Sequence, residues 1–187
     1  MSSAFAPGFL VAAPGLRDPN FRESVVLLVD HKPEGALGFV VNRPSEVSFA
    51  SVLKELELIE EGEDHPEVPV LLGGPVHPHT GWIVYDPRRR DVPEEARISV
   101  DEDLQVSASR SVLEDLARSD DGERHILVLG YSGWGAGQLD AEVREGSWIP
   151  VSLDAKVVFD TPYPERWAAA LAQLGIDPRQ IVSTGLA

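Results

Sequence analysis

Apolar positions in this chain fall mostly in short runs closed by glycine or proline, a pattern that reads as strands joined by tight turns. Phe9–Ala13 ends at Pro14-Gly15, and Ser24–Val29 follows as a second run rich in valine and leucine. Gly35–Val41 comes next, after the turn Pro33-Glu34-Gly35, and Pro44 ends it. So short a connection predicts a hairpin, hence an antiparallel early sheet. From Ser48 the period changes. Phe49, Val52, Leu53, Leu56 and Ile59 recur at three- and four-residue intervals, predicting a helix with Lys54, Glu55 and Glu57 on its outer side. The acidic stretch Glu60–Glu67 reads as a loop.

In the second half, Val68–Leu72 and Trp82–Tyr85 predict strands around Gly73-Gly74-Pro75, and Ile98–Val100 pairs with Leu104–Ser107 across Asp101-Glu102-Asp103. Ser111-Val112-Leu113-Glu114 has capping-box spacing for a helix reaching about Arg118. An apolar strand from His125 then runs into Gly130-Tyr131-Ser132-Gly133-Trp134-Gly135-Ala136-Gly137. This stretch reads as a strand-to-helix turn, with a helix from about Gly135 to Glu145 stopping at Gly146. Trp148–Val151 and Val157–Phe159 read as late strands, and Thr161-Pro162 as the cap and first residue of a helix carrying Trp167, Ala170, Leu171 and Leu174. Clustered strands with scattered helices predict an α+β fold rather than a doubly wound one. With no internal repeat, residues 1–187 are expected to form a single domain.

Charge narrows the partners. Asp and Glu number 31 against 16 Lys and Arg, a formal net charge of −15. Affinity for nucleic acid rests largely on basic side chains displacing counterions, so direct nucleic-acid binding is disfavoured. The one basic run, Arg88-Arg89-Arg90, is flanked by Asp86 and Asp91 and reads as a solvated loop. No cysteine is present, which removes disulfides, thiolate nucleophiles and cysteine-ligated metals. Met1–Gly8 has neither a basic n-region nor a long apolar stretch, so no signal peptide or membrane span is expected and the cytoplasm is the natural location.

The glycine-rich stretch approaches two motifs without completing either. Gly130-x-Ser132-x-Trp134 has tryptophan where a nucleophile elbow has its second glycine. Gly133-x-Gly135-x-x-Gln138 has glutamine where a dinucleotide loop has glycine or alanine, and no P-loop lysine follows. Asp140 and Glu142 in the next helix would repel a phosphate at its start. Ser132 as a nucleophile would need a base brought from elsewhere in the fold, since His125 lies six residues back along an extended strand. His77-Pro78-His79 supplies two imidazoles, too few to define a metal site. Asn42-Arg43 admits two readings: Arg43 holds an anionic ligand, or Asn42 closes a turn while Arg43 pairs with an internal carboxylate. Asp18-Pro19-Asn20-Phe21 suits a turn that Phe21 anchors to the core.

In order along the chain, five blocks resemble the bacterial YqgE/AlgH family: Gly8-Phe9-Leu10-Val11-Ala12; Asp18-Pro19-Asn20-Phe21 leading to Ser24–Leu28; Gly35–Gly38 through Asn42-Arg43-Pro44; Gly73-Gly74-Pro75-Val76; and Gly130–Trp134 through Gly137-Gln138-Leu139, with Trp148 downstream. The resemblance implies a bifurcated or partly barrel-like, mainly antiparallel sheet surrounded by helices. It supplies no assigned reaction. One branch carries a transcriptional-regulator label tied to alginate production, but no recognisable DNA-binding motif accompanies it here. Tyr85 stands where the family pattern usually ends in histidine, which weakens any shared mechanism using that histidine, and Asp140 stands where glutamate is common. The expectation is a non-catalytic regulatory or interaction protein without cofactor or metal, whose partner is a protein or small ligand. Its candidate ligand-binding residues are Asn42, Arg43, Tyr131, Ser132, Gly133, Trp134, Gly135 and Gly137. The alternative is a hydrolase or transferase for an anionic small molecule, with Arg43 and Ser132 in its site.

Overall fold

A computed structural model describes residues 5–179; residues 1–4, where the N-terminal stretch read above as lacking a leader begins, and 180–187 lie outside it. Nine strands make one open sheet: β1 (Gly8–Ala12), β2 (Val25–Lys32), β3 (Gly35–Val40), β4 (Val70–Leu72), β5 (Val76–Tyr85), β6 (Ile98–Ser99), β7 (Gln105–Ser107), β8 (His125–Gly135) and β9 (Trp148–Val151). Helices pack around it: α1 (Phe49–Glu55), α2 (Arg110–Arg118), α3 (Gln138–Arg144), α4 (Ala155–Phe159) and α5 (Arg166–Ala172). Strand order is β6-β7-β5-β8-β3-β2-β1-β9, with β4 attached to β8. Every pairing is antiparallel except β4 with β8. The architecture is α+β with a mainly antiparallel, unclosed sheet.

The sheet forks at β8. The first half of this strand, Leu127–Leu129, pairs with β4, and its second half, Ser132–Gly135, pairs with β3. Gly73 sits in the crotch: its N–H donates to Leu129 and its carbonyl accepts from Val40. Both faces are covered. Phe9 and Val11 of β1 point into the core beneath α4 and α5, while Leu10 and Ala12 point toward Trp134, Leu139 and Trp148. Such two-sided burial explains why β1 and β2 are unbroken apolar runs rather than alternating ones. A third cluster joins α1 and α2 to Tyr85 and Leu127.

Four readings from the sequence need correction. The glycine stretch is strand, not turn: β8 continues to Gly135, and the chain leaves it only at Ala136-Gly137, where Gly137 takes φ +72° before α3 begins at Gln138. Gly130, at φ +76°, bends the strand without ending it. Val157–Phe159 is helical, because the Asp154 side chain accepts from the Lys156 N–H and starts a turn that buries Ala155, Val157 and Val158. Ser109, not Ser111, precedes α2, and Glu114 takes Arg110 at i,i+4 instead of closing a capping box. Thr161 caps no helix: its hydroxyl donates to the Lys156 carbonyl, and a 3-10 turn over Tyr163–Glu165 separates it from α5.

Candidate functional site

Asn42 and Arg43 follow β3 directly and together hold the loop before β2. Asn42 Oδ1 accepts from the Val25 N–H at 3.0 Å, and its Nδ2 donates to the Glu23 carbonyl at 2.8 Å. Arg43 donates to the carbonyls of Pro19, Asn20 and Arg22. The sequence offers Arg43 an anionic ligand or an internal carboxylate; its hydrogen-bond partners among the described residues are main-chain oxygens. Burial and then the charge of Arg22 lower its pKa, with Asp18 acting the other way. A cleft of about 400 Å³ opens beside the pair, lined by Pro19, Arg22, Glu23, Tyr163, Pro164 and Trp167 as well. None of its walls comes from residues 131–137. Phe21 anchors the gripped loop, lying 6.3 Å from the Trp134 ring and 5.5 Å from that of Trp148.

Along the second half of β8, Ser132 and Trp134 are buried while Gly133 and Gly135 are exposed. The Ser132 hydroxyl is sealed from solvent and donates to the Gly73 carbonyl at 3.0 Å. Nucleophilic attack needs the reverse: an exposed hydroxyl donating to a base. Tyr131 packs its ring against those of Trp82 and His77. Gly135 donates its N–H to the Gln138 side chain, tying the strand end to the start of α3. The eight candidates thus divide into a loop-gripping pair and a β8 group that lines no part of that pair's cleft.

His31, His125 and the acids around Arg88 and Arg89 are also committed internally. His125 is buried; its Nδ1 faces the Glu123 carbonyl at 2.7 Å and its Nε2 accepts from Arg90, while burial lowers its pKa. His31 accepts the Phe5 N–H on Nδ1, leaving Nε2 to donate to Asp140 at 3.3 Å. Tyr85 is buried, its hydroxyl donating to Gln105. The run Arg88–Arg90 is not simply solvated: Arg88 pairs with Asp86 and Asp103, Arg89 with Asp121 and Glu123, and Arg90 meets His125. His77 and His79 lie exposed on β5 rather than in a loop. Among the described residues no cluster of three or more His, Cys, Asp or Glu side chains is placed to hold a metal ion, and no helix is long and apolar enough to cross a membrane.

A feature absent from the sequence reading is an apolar groove of about 680 Å³ between α1, α2 and the sheet, floored by Leu72, Ile83, Leu127 and Leu129 and walled by Val52, Leu56 and Leu113. Among the described residues, Val47 and Leu72 are two of four large hydrophobic side chains left exposed, and both line this groove. Its walls come from segments far apart in the chain, so no local pattern marks it. Exposed apolar positions such as Val47, just before the α1 cap, are the only sequence trace.

Residues 9–179 match the family model described as AlgH-like. A UPF0301 protein of Anaeromyxobacter dehalogenans strain 2CP-C is 46% identical over 180 residues, covering 94% of this chain and 91% of the relative. A UPF0301 protein of Paracoccus denitrificans is 41% identical over 178 residues, covering 95% and 93%. Among solved structures, that of the AlgH protein from Pseudomonas aeruginosa superposes with a TM-score of 0.78 at 34% identity, covering 100% of this chain and 97% of that one. A Corynebacterium diphtheriae protein shares the fold, with a TM-score of 0.67 at 21% identity over 90% of this chain and 86% of its own.

Proposed function

We propose, from the premise that this chain belongs to the AlgH-like family, that it is a cytoplasmic, non-catalytic interaction protein with a regulatory role. The groove between α1 and α2 receives an apolar segment of a partner protein. The observation that carries this reading is the placement of Val47 and Leu72, exposed apolar side chains at the mouth of a groove already walled by leucine, valine and isoleucine. Leaving such side chains in water gives up the free energy their burial against a partner would return, about 25 cal/mol per Å². The rim favours a cationic flank on the segment: Arg110 is neutralised by Glu114, while Glu55 has no ion pair among the described residues. Internal commitment of Ser132, His31 and His125 supports binding over turnover.

A photo-crosslinking amino acid in place of Leu72 is expected to trap one partner in cells. With that partner purified, calorimetry is expected to show Leu72→Asp and Val47→Asp each weakening affinity by about tenfold or more. Affinity unchanged in both variants would refute the groove as the site. Turnover in a phosphatase and esterase screen that disappears in Ser132→Ala would refute the non-catalytic reading itself.

A further inference from the structure

Arg166, the first residue of α5, is 7% exposed, yet among the described residues no carboxylate pairs with it. Its Nε donates to the Thr161 carbonyl at 2.8 Å and its Nη1 to the Val41 carbonyl at 2.5 Å. A guanidinium has five N–H groups, so most of its donors, including both on Nη2, have no hydrogen-bond acceptor among the described residues. Two neutral carbonyls orient the charge without cancelling it, and burial alone lowers its pKa to about 10. A buried charge without a counter-charge is costly, and among the described residues no acid lies within ion-pair distance of it.

Arg166 lines a cleft of about 500 Å³ at the opposite end of β8 from Trp134. Arg124 and Arg89 border the same cleft, but both are already spent: Arg124 on Asp86 and Asp160, Arg89 on Asp121 and Glu123. Among the described residues lining the cleft, Arg166 is therefore the cation with capacity left. Phe159 and Pro69 give the cleft an apolar side. Three acids stand on its border, Glu123 and Asp160 paired with Arg89 and Arg124 and Glu67 without an ion pair among the described residues, which disfavours a multiply charged ligand. The cleft shares no lining residue with the α1–α2 groove.

We propose that this cleft binds a small monocarboxylate carrying an apolar group, the carboxylate taken by the free N–H groups of Arg166 and the apolar group set against Phe159 and Pro69. Arg166 supplies donors already oriented by two backbone carbonyls, so little ordering accompanies binding. One negative charge matches one uncompensated guanidinium.

Sodium benzoate, acetate and inorganic phosphate, each titrated to about 20 mM into isotope-labelled protein, test this by amide chemical shifts. Benzoate is expected to give saturable shifts confined to residues 122–126 and 158–166, with acetate and phosphate weaker. Arg166→Lys keeps the charge but loses the planar fork, and is expected to weaken benzoate by about tenfold. Glu67→Gln removes the unpaired competing acid and is expected to tighten benzoate by about threefold. Absence of saturable benzoate shifts, wild-type affinity in Arg166→Lys, or phosphate binding at least as tight as benzoate would each overturn the proposal. Should the lysine variant fail to fold, Glu67→Gln decides, since affinity that stays the same or falls would overturn it as well.

Discussion

At the scale of single residues, the polar side chains near the fold's turns are mostly holding backbone or one another. Asp86 is the clearest case. Burial pushes its carboxyl up, but hydrogen bonds from the Arg88 side chain and backbone and from Arg124 outweigh it and hold the pKa at about 2. A carboxyl depressed on folding contributes stability that is complete above its unfolded pKa, near 4, and is lost as pH falls toward 2. Urea midpoints for wild type and Asp86→Asn are therefore expected to differ by about 2 kcal/mol near pH 7 and to converge only below the folded pKa, at about pH 1.5. A gap that persists at the lower pH would assign the loss to packing instead. Asn42 illustrates how a turn residue can be legible while its partner is not: a polar pair after an apolar strand signals a turn, but the bond to the Val25 N–H exists only once β2 lies alongside.

At the scale of elements, legibility followed how local the deciding force was. β1, β2 and β3 were readable because each run is apolar enough to be buried wherever it pairs. Val157 and Val158 favour a strand by propensity, yet a cap three residues earlier and burial beneath the sheet make them helix. In β8 the glycines look like breakers, although Ser132 and Trp134, alternating with Gly133 and Gly135, already have the period of two that marks a strand. Of these, Gly130 permits close approach rather than a turn, since a Cβ there would lie 2.6 Å from the Gly74 carbonyl oxygen. A Cβ on Gly74, where φ is +151°, would lie 2.3 Å from the Tyr131 carbonyl oxygen and 2.4 Å from Ser132 Oγ. Gly74→Ala is thus expected to cost about 2–4 kcal/mol. Ser132→Ala should cost only about 1 kcal/mol, since the Gly73 carbonyl keeps the Val40 N–H. Denaturant titrations of the two variants check this ordering, and a larger loss for Ser132→Ala would contradict it.

At the scale of the whole molecule, the charge of −15 sets the range of partners more than any one residue does. Even Arg88 and Arg89, in the only basic run, are paired with acids. Gel shifts with duplex DNA are expected to show no binding at low salt, where phosphate contacts are strongest, and retention there would contradict the reading. Neither the apolar groove nor the Arg166 cleft was visible in the sequence, because each is assembled from distant segments. The fork at β8 has its own consequence. β3, β4 and β5 all wait for one strand that follows them in the chain, so during synthesis their edges stay open until His125–Gly135 has emerged. A fragment ending before His125 would carry three unpaired edges at once, making this protein one that cannot be divided there into halves that each stay folded.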